Sequence, residues 1–143
     1  FSRRQRPHFM TLFSVAHRPD RAEIDFVCAG HVPGILLREG RQQLLGRDHD
    51  ASIPLGILRE HRWSNTTVPF LPGDRLVIYT DGILEARDAR GRMFGLERLQ
   101  ALLQGEMLDA TTTLARVRDA VAEHQGSDIG IDDQTLIVLN QVT

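Results

Sequence analysis

The sequence contains one cysteine, Cys28, so no disulfide can close within the chain and no cysteine-rich metal site can be built from it. A lone cysteine fits a reducing compartment only weakly. Cys28 falls in the alternating apolar set Ile24, Phe26 and Cys28, where a small buried hydrophobe is the ordinary role. Long apolar runs are lacking: none approaches the roughly 20 residues that a membrane-spanning helix needs. The basic start is followed by polar residues rather than by the apolar core of a secretory signal. Neither sign of charge is in excess, and a formal net charge of −2 gives no general attraction to nucleic acid or anionic membrane. Repeats, low-complexity tracts and long linkers are missing too.

What is present is ordinary for one soluble domain with a real core: 143 residues, 41% hydrophobic and 25% charged. Arg3, Arg4 and Arg6 form a small basic cluster best read as solvated. His8, His17, His49, His61 and His124 show no metal-ligand spacing.

The residue pattern predicts strands first, then helices, then a last strand. Phe9 to Ala16 is apolar with little alternation and predicts a strand covered on both faces. The turn Arg18-Pro19-Asp20-Arg21 leads to an alternating strand from Glu23 to Ala29, making a hairpin. Ile35 to Arg38 and Gln42 to Leu45 flank Glu39-Gly40, a second hairpin signal. Arg47 to Leu58 carries Pro54 and Gly56 and predicts a loop. Arg62 to Phe70 predicts a strand, and Leu71-Pro72-Gly73-Asp74 a type II turn into a short apolar strand, Arg75 to Thr80. Leu96, Leu99, Leu102 and Leu103 then recur at helical spacing up to Gly105. Leu114, Val117 and Val121 mark a second helix, with Asp109 or a threonine as cap and Gly126 as stop. Thr135 to Leu139 is the last strand. Hairpin-joined strands and adjacent helices describe an α+β fold with antiparallel sheet rather than a βαβ repeat.

The carboxylates stand at telling places. Asp81 directly follows the strand Leu76-Val77-Ile78-Tyr79, and Asp132 and Asp133 precede Leu136-Ile137-Val138-Leu139. If these strands pair antiparallel, acids distant in sequence meet at one rim of a sheet. Such charges raise each other's pKa unless a cation neutralises them, and hard oxygen ligands suit Mg²⁺ or Mn²⁺ rather than zinc. Gly82 would allow a sharp backbone departure beside that rim. Aspartates at strand ends are also routine turn and capping residues, so spacing alone leaves both roles open.

The run from Leu71 to Arg87, containing Tyr79-Thr80-Asp81-Gly82, resembles the signature of the SpoIIE/RsbU-like bacterial branch of the type 2C (PPM) serine/threonine phosphatases. So do Ala29-Gly30-His31-Val32-Pro33 with Leu36-Leu37, Ile53-Pro54-Leu55-Gly56-Ile57, Phe94-Gly95-Leu96-Glu97-Arg98-Leu99 and Asp132-Asp133-Gln134-Thr135-Leu136. These segments occur in family order over nearly the whole chain. The resemblance implies a four-layer αββα sandwich with two antiparallel sheets and a binuclear Mn²⁺ or Mg²⁺ centre at their edge. It makes Asp81 and Asp132 metal ligands, with Asp133 as a neighbour adjusting the site. The reaction implied is hydrolysis of phosphoserine or phosphothreonine without a covalent phosphoenzyme.

The family's earlier Asp-x-x-Gly-His-Gly motif, whose aspartate bridges the metals, is not among these 143 residues. Residues 1–143 are therefore expected to be the C-terminal portion of one phosphatase domain, a partial sandwich whose upstream strands are missing. That portion would be inactive alone. By analogy the parent is cytoplasmic and acts on a phosphorylated regulatory protein of the anti-sigma-factor antagonist type. Nucleic acid and membrane insertion are not expected, and a homodimer is left open. The rival expectation is a pseudophosphatase adaptor that binds such a partner without hydrolysis. His31 reads as a structural histidine, and Arg87, Arg90 and Arg92 as solvated side chains near the Asp81 region. A haloacid-dehalogenase-type phosphatase is rejected, because that chemistry wants a second aspartate two residues after the first and position 83 is Ile.

Overall fold

The computed structural model describes residues 8–47, 51, 53–105, 109–126 and 133–142. Arg3, Arg4, Arg6, His49 and Asp132 lie outside these residues. The described residues fall into two compact units, one running up to 33 and from 46 to 69, the other from 34 to 45 and from 70 onward. Each unit carries one antiparallel sheet, and with the helices this makes an α+β fold. No helix among the described residues is long and apolar enough to cross a membrane.

The first unit holds a three-stranded sheet. Strand β1 (Leu12–Arg18) pairs with β2 (Glu23–Ala29) through a one-turn 3-10 helix over Pro19–Arg21, and β5 (Thr66–Pro69) flanks the other side of β2. The alternating set predicted for β2 is buried: Ile24, Phe26 and Cys28 are at most 5% exposed. Asp25, on the opposite face, is buried too. It accepts hydrogen bonds from the Thr67 hydroxyl and the Arg18 guanidinium, each at 2.5 Å, and these bonds, Thr67's first, hold its carboxyl below the usual range.

Two expectations fail here. The first strand is not covered on both faces. It begins later, at Leu12, and is an edge strand in which only Phe13 and Val15 are partly buried; Phe9 and Met10 are over 60% exposed. Phe13 stacks on Phe26 at 5.8 Å, so a single face is engaged and the remaining apolar side chains stay open. The strand predicted from Arg62 to Phe70 shortens to Thr66–Pro69, and Trp63 instead donates its indole N–H to the Ile53 carbonyl at 2.7 Å.

The second unit holds a four-stranded sheet ordered β4-β3-β6-β7. Strands β3 (Gly34–Arg38) and β4 (Arg41–Leu45) form the predicted hairpin. Its central residues Glu39 and Gly40 have φ of 48° and 74°, as a type I′ turn requires. The next predicted turn is also formed: Asp74 N–H donates to the Leu71 carbonyl at 2.8 Å, with Gly73 at φ 90°. The buried Asp74 carboxylate takes a forked pair of bonds from Arg38 and one from the Leu71 N–H.

That turn launches β6 (Arg75–Tyr79), which pairs with β3 on one side and β7 (Leu136–Asn140) on the other. Its Leu76, Val77 and Tyr79 are at most 1% exposed, alongside Leu99 from α2 (Leu96–Leu102) and Val117 from α3 (Ala110–Gln125). The Asp109 side chain caps α3 by accepting from Thr112 N–H, and Gly126 ends it at φ 73°. Sequence periodicity does not reveal α1 (Asp81–Leu84), a four-residue helix directly after β6.

Candidate metal-binding rim

The candidate site is made where β6 ends and β7 begins. The ladder runs from Arg75↔Asn140 to Tyr79↔Leu136, so the residues just past Tyr79 face those just before Leu136. The pairing continues one step, since Thr80 N–H donates to the Thr135 carbonyl at 3.1 Å. The return bond does not follow the ladder pattern. Thr135 N–H donates to the Thr80 hydroxyl at 2.9 Å, and that hydroxyl donates to the Asp133 carbonyl at 3.1 Å.

Asp81 begins α1 at this rim and is exposed. Its main-chain carbonyl accepts from Glu85 N–H, while its carboxylate makes no hydrogen bond or ion pair to any described residue. Gly82 is buried against the facing segment: a Cβ built there would lie 2.6 Å from the Asp133 carbonyl oxygen. The Gln134 carboxamide donates to the Gly82 carbonyl at 3.3 Å and to the Gln125 side chain at 3.2 Å, linking rim and α3 terminus.

The antiparallel apposition inferred from the two apolar strands is thus present, and it brings Asp81 to the segment that carries Asp133. Asp132 falls outside the described residues. The chain does turn away from the strand at Gly82, but with helical backbone, so what the glycine itself supplies is close approach to the facing segment. Sequence reasoning missed Thr80 and Gln134. Their only signal was adjacency to the two acidic motifs, because their partners lie across a ladder.

The described residues supply one exposed carboxylate, bonded to none of the others, of the hard-oxygen type that Mn²⁺ and Mg²⁺ prefer, placed two residues past the end of β6. Among them no group of three or more His, Cys, Asp or Glu gathers. The fit is therefore to one side of a metal site, with further ligands needed from elsewhere.

The surroundings are well tied. Phe94 N–H donates to the Ala86 carbonyl and Gly95 N–H to the Leu84 carbonyl, closing the connection from α1 into α2. Within it Asp88 accepts from the Arg92 and Arg90 N–H groups and from the Arg92 side chain, and the Arg92 N–H bond leads in bringing its pKa to about 2. Arg87, Arg90 and Arg92 are exposed, and Arg87 donates to the Gly91 carbonyl. In the other unit, His31 Nδ1 lies 2.9 Å from the Val32 carbonyl. Tyr79 is buried below the rim, and desolvation pushes its phenol up to about 12.

The fold and sequence match known proteins. The family model described as Stage II sporulation protein E (SpoIIE) matches residues 1–141. Protein IcfG of Synechocystis sp. is 27% identical over 132 residues, covering 92% of this chain and 20% of that protein. Phosphoserine phosphatase RsbU of Bacillus subtilis is 26% identical over 136 residues, covering 93% of this chain and 39% of RsbU. The Mn-presoaked phosphatase domain of the cell fate determinant SpoIIE from Bacillus subtilis superposes with a TM-score of 0.73 at 19% identity, covering 94% of this chain and 57% of that one. The chain thus spans less than half the length of these two curated relatives. Matched along nearly its whole length, it belongs to the SpoIIE family, the SpoIIE/RsbU-like branch of the PP2C (PPM) metal-dependent phosphatase fold.

Proposed function

We propose that this chain is the C-terminal portion of the catalytic domain of a cytoplasmic metal-dependent protein phosphatase. It removes phosphate from phosphoserine or phosphothreonine of a regulatory protein of the anti-sigma-factor antagonist type. Asp81 and Asp132 are the metal-holding residues that this chain contributes, and Mn²⁺ or Mg²⁺ is the ion. The observation that carries the reading is the β6–β7 ladder, which sets the exposed Asp81 beside the segment entering β7. RsbU, named a phosphoserine phosphatase, supports the substrate class by family likeness.

When bound, the metal pair supplies an activated water and neutralises charge on the phosphoryl oxygens. The chain's own contribution is positional. The apolar β6 strand anchors Asp81, and α1 turns the chain away immediately afterwards, leaving the carboxylate open to solvent. Gly82 lets the Asp133 main chain approach, so acids from two distant motifs share one rim. The bridging aspartate of a binuclear centre would come from outside these residues.

The test is metal-dependent release of phosphate from a phosphorylated antagonist-type protein by the full-length parent, then by Asp81→Asn and Asp132→Asn. Each substitution should lower kcat/KM on the order of a hundredfold or more, since a metal supplies several kcal/mol of transition-state stabilisation. Wild-type rates in both variants would sink the assignment. A parent that binds the partner but never releases phosphate would be an adaptor instead.

A further inference from the structure

Thr80 occupies the N-cap position of α1, where a threonine hydroxyl ordinarily accepts a bond from the first turn of the helix. Here it makes no such bond. The hydroxyl is turned across the ladder, accepting from Thr135 N–H at 2.9 Å and donating to the Asp133 carbonyl at 3.1 Å. One oxygen thus serves two main-chain groups of the facing segment, and the Thr80 N–H holds a third, the Thr135 carbonyl at 3.1 Å. The absent Cβ of Gly82 lets that same Asp133 carbonyl come close, and the Gln134 carboxamide reaches back to the Gly82 carbonyl. Two residues that flank Asp81, Thr80 and Gly82, are thereby fastened to three of the other rim, 133 to 135.

We propose that Thr80 is a positioning residue for the metal-binding rim: its hydroxyl clamps the main chain at Asp133 and Thr135 and so fixes the acidic segment entering β7 against Asp81. This inference rests on the reading of Asp81 as a metal ligand. The physical reason is preorganisation. A carboxylate binds a hard cation well only if its partners are already in place, and groups that hold ligands without touching the metal commonly govern affinity by about ten- to a hundredfold. Thr80 touches neither metal nor substrate in this scheme. It acts by setting the distance between two strand ends.

The experiment measures Mn²⁺ binding to the full-length parent by titration calorimetry, alongside urea denaturation of the metal-free protein. Thr80→Val removes the hydroxyl and keeps the shape; Thr80→Ser restores the hydroxyl. The expected result is a Kd for Mn²⁺ raised about ten- to a hundredfold in Thr80→Val and returned to within about threefold of wild type in Thr80→Ser, with both variants folded. A folded Thr80→Val that binds Mn²⁺ as tightly as wild type would overturn the inference and leave the Asp81 reading standing. Equal weakening in Thr80→Ser would also overturn it, because the hydroxyl would not be the cause. If wild type itself binds no Mn²⁺, the Asp81 reading falls and the inference with it. If Thr80→Val does not fold, Thr80→Ala, which also lacks the hydroxyl and carries no branched side chain, takes its place. Weakened Mn²⁺ binding in that variant supports the clamp and unchanged binding overturns it.

Discussion

At Gly82 the side chain is missing for reasons of space rather than torsion. The backbone there is helical, which alanine would favour, yet a Cβ would stand 2.6 Å from the Asp133 carbonyl oxygen. Main chain held by the Thr80 hydroxyl yields less readily than the end of a flexible side chain. Gly82→Ala should therefore destabilise the protein by about 1–3 kcal/mol, the usual range for an overpacked site, read as a lower urea midpoint; an unchanged midpoint would show that the segment is free to move. The position of Asp81 was legible in the sequence because an acid just past an apolar strand has a definite address. The reasons for Gly82, Thr80 and Gln134 were not, because each partner sits across a strand pairing that no local pattern encodes. Asp25 shows the same limit. It occupies what reads as the open face of an alternating strand, and only the flanking strands bring it Thr67 and Arg18.

Among the elements, turns and caps were the most legible, since their chemistry is local. Glu39-Gly40, Pro72-Gly73, Asp109 and Gly126 all act as their residue types require. The β3–β4 turn is nonetheless imperfect, because a type I′ turn favours asparagine over glutamate at its first positive-φ position. Glu39→Asn should raise stability by about 0.5 kcal/mol, seen as a higher urea midpoint; a lower one would mean that the glutamate carboxylate contributes more than the torsion costs. Helix α3 was read from Leu114, Val117 and Val121, but its buried stripe is Thr113, Val117 and Val121. The Thr113 hydroxyl can be buried because it donates to the Asp109 carbonyl at 2.8 Å, a bond that an apolar-only pattern overlooks. The β1 strand was misjudged for a different reason: apolar composition reports what could be buried, and only the pairing order reports what is.

For the molecule as a whole, all seventeen basic residues are arginine, so its positive side chains keep their charge at any ordinary pH. Acid response then falls chiefly to carboxylates and histidines. Asp88 is held near 2, and Asp25 and Asp109 lie below the ordinary 3.8 because their charged forms accept hydrogen bonds. A carboxylate depressed in the folded state contributes stability that is fully present above its unfolded value and is lost as pH falls through the folded one. Stability should therefore lose these contributions as pH drops from about 4 toward 2. Asp88→Asn should flatten that decline in urea midpoints measured across the range, and an identical decline would show that its turn bonds do not persist in solution. The β6–β7 ladder carries one more consequence, in units of length. Strand residues advance about 3.3 Å each and alternate in facing, so β6 behaves as a ruler with Asp81 at its tip. Inserting one residue before Thr80 would turn the acid to the other side of the sheet, whereas inserting two would keep its facing and carry it about 7 Å past its counterpart. A change in the number of β6 residues would therefore displace Asp81 in a way that no substitution along the strand does.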